Sequence, residues 1–395
     1  MSAFYLFATL LVFLGYKSLR GGFDWLKYFK RELSKPESNF TPFASIIAPC
    51  RGLDSDLFEN LSALFKQNYP NYEIIFVVDD ETDEAAKLIN SRFKIQNSKL
   101  IVANKTPDSS QKVENLREAV LHVSDKSKVF VFVDSDARPN ENWLRNLVAP
   151  LENNEIGCTT GYRWFIAKNG GFTTQFRSIW NASIASQLGQ NMSKNFCWGG
   201  STAILRETFE HLEVRKRWHG TLSDDFRLTR ILHEANLPIY FVPQCLTATV
   251  EDCSFSELLE FTNRQMKITR VYQPNLWKAS LIGSFIFNAI FWIGFALLFV
   301  VSGFHFWLTF AFLSVIFILG AAKSLIRLHT AKLVLKDYEH QLNKSLLRQI
   351  SLWSISPLLF FYNAISALFS RKIVWRGIKY ELISAHETRI LTKDE

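Results

Sequence analysis

Short apolar runs alternate with helical patterns through the middle of the chain. Four runs bounded by polar residues predict buried strands, at 44–49, 72–78, 99–103 and 129–133. Apolar residues at helical spacing predict one helix between each two consecutive strands, at 56–67, 82–93 and 112–123. This order predicts a mostly parallel sheet with helices on both faces, in which ligands bind beyond the carboxyl ends of the strands.

Three further segments are long and free of charged residues. The 44 residues between Lys278 and Lys323 are enough for two membrane-spanning helices, with a turn at 302–305. The uncharged segment 349–370 contains Pro357 near its middle, which predicts a re-entrant or interfacial segment in place of a straight span. The first 16 residues form a third apolar run that ends at Lys17, and further basic residues follow it, which favours a membrane anchor over a cleaved signal peptide.

The positive charge of the chain lies beside these apolar segments. The formal net charge is +8, whereas residues 36–274, with 26 basic and 29 acidic side chains, have a net charge of −3. This distribution indicates a membrane surface as partner and argues against nucleic acid. Because basic flanks stay on the cytosolic side, we expect an integral membrane protein whose globular domain lies in the cytosol. The predicted segments are an anchor at 1–17, a basic linker at 18–39, a globular domain at 40–275, a membrane module at 276–370 and a basic tail at 371–395.

Composition excludes several other classes of protein. With 48% hydrophobic residues, including 35 Phe and 11 Trp, the chain is neither disordered nor fibrous. The five cysteines are scattered and show no metal-binding spacing, so we expect reduced cytosolic thiols and neither disulfides nor a zinc site.

Acidic residues close two of the predicted strands. Asp134 and Asp136 follow the strand at 129–133, where two carboxylates two positions apart could share Mg²⁺ or Mn²⁺, or could simply cap the strand in a polar turn. Asp79 and Asp80 close the strand at 72–78 and could bind a nucleoside or cap the next helix.

A second group of polar residues has less specific spacing. Asp224 and Asp225 open a helix, where they could cap it or, since adjacent carboxylates repel, supply a general base. Lys112 heads another helix, whose start could simply be solvated. Trp198 and Gly200 belong to a loop whose paired glycines could allow close backbone approach, or to an ordinary turn with a buried indole. Arg264, Lys267 and Arg270 form a basic helical face that could pair with a diphosphate or with anionic headgroups.

Taken in order, these motifs resemble the inverting, membrane-bound glycosyltransferases of family 2, and most closely the ceramide glucosyltransferase branch. Segment 264–268 corresponds to that family's (Q/R)xxRW motif, although Lys267 and Ile268 stand where Arg and Trp are usual. The sequence Trp375 to Tyr380 is similar to a tail motif of these enzymes.

The resemblance implies an α/β fold, a Rossmann-like, nucleotide-sugar-binding glycosyltransferase A-type domain with membrane helices at both ends. It makes the globular domain at 40–275 the catalytic domain, on the cytosolic face of the membrane. It further implies a nucleotide-sugar donor such as UDP-glucose, a lipid acceptor such as ceramide, and Mg²⁺ or Mn²⁺ as cofactor. The roles it implies are catalysis for Asp225, metal binding for Asp134 and Asp136, donor binding for Asp79, Asp80, Lys112, Asp134, Arg264 and Lys267, and an acceptor side formed by Trp198, Gly200 and Asp224. A processive polysaccharide synthase and a non-catalytic membrane scaffold are the alternatives.

Overall fold

The computed structural model describes residues 1–54, 56–93 and 97–391, so the last four residues of the predicted tail lie outside the described part. The strands are β1 Ala44–Pro49, β2 Tyr72–Val78, β3 Ser98–Val102, β4 Val129–Phe132, β5 Cys158–Ile166, β6 Thr202–Leu205, β7 Ile239–Val250, β8 Lys372–Trp375, β9 Ile378–Leu382 and β10 Thr388–Leu391. The helices are α1 Ser2–Leu33, α2 Leu57–Leu64, α3 Glu84–Arg92, α4 Gln111–Ala119, α5 Trp143–Val148, α6 Phe172–Ala185, α7 Arg206–His211, α8 Val214–Arg217, α9 Asp224–Glu234, α10 Phe255–Tyr272, α11 Pro274–Leu297, α12 Gly303–Lys332, α13 Glu339–Lys344, α14 Leu346–Leu352 and α15 Ser356–Phe369.

The chain divides into two compact units. The helical unit contains residues 1–30, 166–186 and 252–370, and the sheet unit contains residues 31–165, 187–251 and 371–395. This division differs from the predicted boundaries in two respects. Residues 166–186 and 252–275 group with the membrane-type helices, and the tail groups with the sheet.

The sheet unit contains a seven-stranded sheet in the order β3-β2-β1-β4-β6-β5-β7. Strands β1 to β4 are parallel, and all four strands and three helices predicted between residues 44 and 133 are confirmed within a few residues at their ends. Strand β6 runs antiparallel to both β4 and β5, so the sheet is mixed. The sequence analysis missed β5, β6 and β7.

The parallel register determines where the acidic strand ends lie. Ala44 at the start of β1 pairs with Tyr72 of β2 on one side and with Val129 of β4 on the other. The three strands therefore end at one edge of the sheet, where the loops that contain Cys50, Asp79 and Asp134 emerge.

The core of this unit packs helices α4 and α9 against the sheet. Phe130 and Phe132 of β4 contact Phe209 and Trp218, mostly in edge-to-face arrangements with ring centroids 5.1–6.1 Å apart. All four side chains are at least 97% buried. Burial of this aromatic group holds the start of α9, and so the Asp224-Asp225 pair, against the end of β4.

The tail forms a second sheet within the same unit. Strands β8, β9 and β10 are antiparallel, in the order β10-β9-β8. Arg376 and Gly377 make the two-residue turn between β8 and β9, and both have positive φ, at 50° and 78°, as a hairpin turn of this length requires. Tyr380 and Leu382 of β9 are buried.

The helical unit contains three helices long and apolar enough to cross a membrane: α1, α11 and α12. The predicted pair of helices between Lys278 and Lys323 is confirmed as α11 and α12. Helix α1 continues well beyond the predicted anchor, to Leu33. Helices α14 and α15 are bent by 59° at a short break before Pro357, as a broken span or a re-entrant loop would be.

We predict that Gly161→Ala destabilises the sheet unit by roughly 1–3 kcal/mol, since a Cβ there would lie 2.2 Å from the backbone oxygen of Cys245 on β7. Gly21→Ala in α1 is the matched control because no atom lies within 4 Å of the added Cβ. Thermal unfolding of the purified protein in detergent measures both variants. Equal midpoints for the two variants would contradict the close approach of β5 and β7.

Candidate active site

Lys112 connects two carboxylates from distant parts of the chain. Its Nζ lies 2.7 Å from Oδ1 of Asp134, which follows β4, and 3.1 Å from Oδ1 of Asp224, the first residue of α9. Lys112 is held in the first turn of α4, whose N-cap Ser110 accepts a hydrogen bond from the amide of Val113 at 3.2 Å. The first turn of α4 thus holds the Lys112 ammonium between Asp134, at the end of β4, and Asp224, at the start of α9.

The electrostatics of this cluster follow from burial opposed by ion pairing. Burial alone would lower the pKa of Lys112, but the charges of Asp134 and Asp224 outweigh it and raise that pKa. Burial alone would raise the pKa of Asp134, and the charges of Lys112 and Arg163 outweigh it and lower that pKa. Both groups are therefore ionised at neutral pH.

Arg163, on β5, is a site residue that the sequence analysis missed. Its guanidinium bridges Asp134 Oδ2, at 3.3 Å, and Asp136 Oδ2, at 3.1 Å. It also lies over the indole of Trp198, 4.9 Å from the ring centroid. No motif marks this arginine, because only the pairing of β5 with the rest of the sheet brings it to the carboxylates.

The two carboxylate oxygens of Asp136 differ in their contacts. Oδ1 of Asp136 is buried and has no hydrogen-bond partner within the described residues. Burial, the largest effect, raises the pKa of Asp136, and the nearby charge of Asp134 raises it further, although Arg163 opposes both. Within the described part of the chain, no group of three metal-binding side chains occurs. A cation at Asp136 would therefore need ligands from a bound molecule as well.

Asp79 and Asp80 differ in their surroundings. Asp79 is buried at the end of β2 and accepts a hydrogen bond from Arg51 Nη1 at 2.7 Å. Asp80 is half-buried, and hydrogen bonds from the side chain and the amide of Thr82 lower its pKa to about 2. Neither caps α3, since Asp83 is the residue that accepts from the amide of Ala85.

Asp224 and Asp225, the two adjacent carboxylates of α9, also differ in burial and in their contacts. Asp224 is buried beside Lys112, and burial raises its pKa to about 6 despite that partner. Asp225 is half-buried, and its Oδ1 accepts hydrogen bonds from the Ser223 hydroxyl and the Phe226 amide. Its Oδ2 has a long contact, 3.4 Å, with the amide of Gly199.

The glycines of the 198–200 turn allow close approach on both sides. A Cβ on Gly199 would lie 2.4 Å from Asp224 Oδ2 and 2.7 Å from Lys112 Nζ. A Cβ on Gly200 would lie 2.1 Å from the ring of Trp198. Trp198 is only 4% exposed, and a buried indole is what we expected of an ordinary turn at this position. The role of Trp198 on the acceptor side stays a prediction.

The tail sheet reaches the same carboxylates. Arg376, at the tip of the β8–β9 turn, forms two hydrogen bonds to Asp54, of which the Nη2–Oδ2 bond is 2.9 Å. Asp54 also accepts from the hydroxyl of Ser135, between the two DxD aspartates, at 3.0 Å. The ring of Trp375 lies 6.0 Å from Lys112 Nζ. The last segment of the sequence therefore contributes side chains beside the candidate site.

The basic face on α10 lies in the helical unit. Arg270 donates hydrogen bonds to the carbonyl oxygens of Ala367 and Leu368 at the end of α15. Arg264 Nη1 lies 3.9 Å from Glu260 Oε1, the Arg264 guanidinium lies 5.7 Å from the ring centroid of Phe261, and burial lowers the pKa of Lys267. Donor binding by Arg264 and Lys267 stays a prediction.

The fold and this cluster together define a class. A sheet whose parallel strands end in acidic residues with basic partners at one edge is the arrangement expected of glycosyltransferases with the A-type fold. The mannosyltransferase PcManGT from Pyrobaculum calidifontis, solved in complex with GDP-Man and Mn²⁺, has this fold: it aligns over 93% of this chain and 99% of its own, at 16% identity and a TM-score of 0.50.

The chain belongs to glycosyl transferase family 21, whose family model matches residues 5–388. Ceramide glucosyltransferase 3 of Caenorhabditis elegans is 22% identical over 215 residues, 53% of this chain and 46% of that protein. The ceramide glucosyltransferase of Candida albicans is 29% identical over 125 residues, 28% of this chain and 23% of that protein. The chain thus spans less than half the length of these curated relatives.

These matches decide several predictions from the sequence. The glycosyltransferase class, the α/β A-type fold and the resemblance to ceramide glucosyltransferases are confirmed. The matching family carries the number 21, where the motifs had suggested family 2. The individual roles of the site residues are not tested by these matches.

We predict that turnover falls as the pH drops below about 6, because protonated Asp224 no longer pairs with Lys112. The fold is not lost in the same range: a carboxyl whose pKa is raised by folding favours the folded state at low pH and loses that contribution as the pH rises. Asp224→Asn should remove this acid limb, whereas Asp125→Asn at an exposed position should keep it. A pH–rate profile unchanged by Asp224→Asn would contradict this assignment.

Proposed function

We propose that the protein transfers a sugar from a nucleoside-diphosphate donor, UDP-glucose being the first choice, to the hydroxyl of ceramide or a related lipid, with inversion at the anomeric carbon. The observation that carries this proposal is the group of ion-paired, largely buried side chains at the carboxyl edge of the sheet: Lys112, Arg163, Asp134, Asp136 and Asp224. The names of the relatives support ceramide and glucose.

The donor would lie along this edge. Asp79, held by Arg51, offers a carboxylate to the nucleoside. Lys112, Arg163 and Arg376 supply positive charge for the diphosphate, and Asp80, Arg264 and Lys267 complete the proposed donor set. Mg²⁺ or Mn²⁺ fits the unpartnered Oδ1 of Asp136, with Asp134 beside it, and would neutralise charge on the departing diphosphate.

Asp225 is the better of the two candidate bases. Asp224 is buried and already paired with Lys112, whereas Asp225 is half-buried and its Oδ2 makes a long contact, 3.4 Å, with the amide of Gly199. The acceptor hydroxyl would give its proton to Asp225 as its oxygen attacks the anomeric carbon opposite the leaving diphosphate. Asp224 would instead fix the position of Lys112. Trp198 and Gly200 are the proposed neighbours of the acceptor.

The lipid acceptor requires a membrane next to the site. Helices α1, α11 and α12 are the candidate spans. The tail is part of the sheet unit, so the chain between β7 and β8 would cross a bilayer an even number of times. Two crossings, by α11 and α12, give an even number if the bent pair α14–α15 enters the membrane and leaves it on the same side. We place that side in the cytosol because the segments flanking the spans are basic.

Membranes containing the protein, incubated with a panel of labelled nucleotide sugars, should yield one labelled lipid after extraction, identified by mass spectrometry. Membranes with Asp225→Asn are the matched control. A labelled polymer would instead identify a processive polysaccharide synthase. The absence of any product would overturn the enzymatic proposal in favour of a scaffold.

Asp225→Asn should lower turnover by roughly 10²–10⁴-fold while nucleotide binding, measured by calorimetry, stays within a few fold. Asn keeps the volume and the hydrogen bonds to Ser223 and Phe226 but cannot accept the proton. Comparable turnover in this variant would reject Asp225 as the base.

Removal of divalent cations by a chelator should abolish turnover, and Mg²⁺ or Mn²⁺ should restore it. In the presence of UDP, Asp136→Asn should weaken Mn²⁺ binding, followed by electron paramagnetic resonance, by at least about ten-fold. Asp125→Asn serves as the control. Unchanged Mn²⁺ binding, or full activity in excess chelator, would remove the metal from the proposal.

A further inference from the structure

Two basic side chains lie where the apolar part of α12 ends. Lys323 and Arg327 are one helical turn apart, and about 20 uncharged residues precede Lys323 in this helix. At 1.5 Å per residue these residues measure about 30 Å, which is the thickness of the hydrocarbon core of a bilayer. The two cations are therefore at the depth of lipid headgroups if α12 spans.

Helix α1 runs beside α12 in the same direction. The hydroxyl of Tyr5 lies 3.4 Å from that of Thr309, near the beginning of both helices. Further along both helices, Lys323 of α12 contacts the hydroxyl of Ser18 of α1. The apolar stretch of α1 also ends at this level, since Lys17 is its first charged residue. Segments 300 residues apart in sequence thus place their basic ends at one boundary.

Nothing in the described residues neutralises this pair. Lys323 Nζ contacts the Ser18 hydroxyl at 2.6 Å, and neither Lys323 nor Arg327 forms an ion pair with a described carboxylate. Nε of Arg327 is buried and lacks any hydrogen-bond partner among the described residues. Gly22 of α1 leaves the space beside the stem of Lys323 free of a side chain.

Such an arrangement is unfavourable without an anion. Like charges one turn apart on a helix repel each other, and a half-buried cation without a partner loses hydration that nothing replaces. A phosphate oxygen would accept hydrogen bonds from both the ammonium and the guanidinium, whose planar fork matches phosphate geometry. The Ser18 hydroxyl would contribute a further donor.

We propose that Lys323, Arg327 and Ser18 form a binding site for the headgroup phosphate of an anionic phospholipid between α1 and α12. A phospholipid fits better than a free anion because its phosphate is delivered at the depth where the apolar segments of both helices end. The site is separate from the residues proposed for sugar transfer. Its test measures lipid binding alone, so its failure and the failure of the proposed function are distinguishable.

The full-length protein in detergent is titrated with phosphatidylglycerol, and bound lipid is counted by native mass spectrometry. Lys323→Gln with Arg327→Gln should weaken binding roughly thirty-fold, since each such cation contributes a factor of about five. Lys336→Gln with Lys344→Gln, which removes two exposed cations beyond α12, is the matched control and should stay within about two-fold.

Three results would overturn the proposal. Equal losses in both double variants would indicate general surface attraction, and equal binding of phosphatidylcholine would remove the selectivity for an anion. Displacement of the lipid by inorganic phosphate at similar concentration would indicate a free-anion site. Lys323→Arg with Arg327→Lys, which keeps both charges, should retain binding and so separates loss of the site from loss of folding.

Discussion

The charge balance around Lys112 is the constraint on which the rest of the site depends. A buried ammonium without a partner would cost several kcal/mol, and the fold avoids this by bringing Asp134 and Asp224 within 3.1 Å of it. Those two carboxylates come from the end of β4 and the start of α9, about 90 residues apart in sequence. The ion pairs therefore require the sheet, the aromatic core beneath it and the capped start of α4 at the same time.

The remaining features of the site follow from this arrangement. Asp134 pairs with Lys112 and Arg163, whereas Asp136 keeps one buried oxygen that has no hydrogen-bond partner among the described residues. Because Asp224 pairs with Lys112, Asp225 is the one of these two adjacent carboxylates that stays half-buried. Two adjacent aspartates and two DxD aspartates thus acquire different chemistry from their surroundings alone, because burial and ion pairing act on each of them differently.

Local patterns predicted one half of the sheet and not the other. Strands β1 to β4 are short apolar runs with helices between them, so their parallel order follows from sequence. Strands β5 to β7 alternate buried polar residues such as Thr159, Thr160 and Thr247 with apolar ones, and hydrophobic pattern does not reveal them. Arg163 and Arg376 were missed as site residues for a related reason: their contacts depend on pairing across the sheet and on the return of the tail.

The central claim is that Lys112 binds the donor diphosphate while joining the two carboxylates. The most direct measurement is the affinity for UDP by calorimetry in Lys112→Met, with Lys87→Met at an exposed position of α3 as control. The account predicts at least about ten-fold weaker binding for Lys112→Met and no change for Lys87→Met. Unchanged UDP affinity in a folded Lys112→Met protein would contradict it.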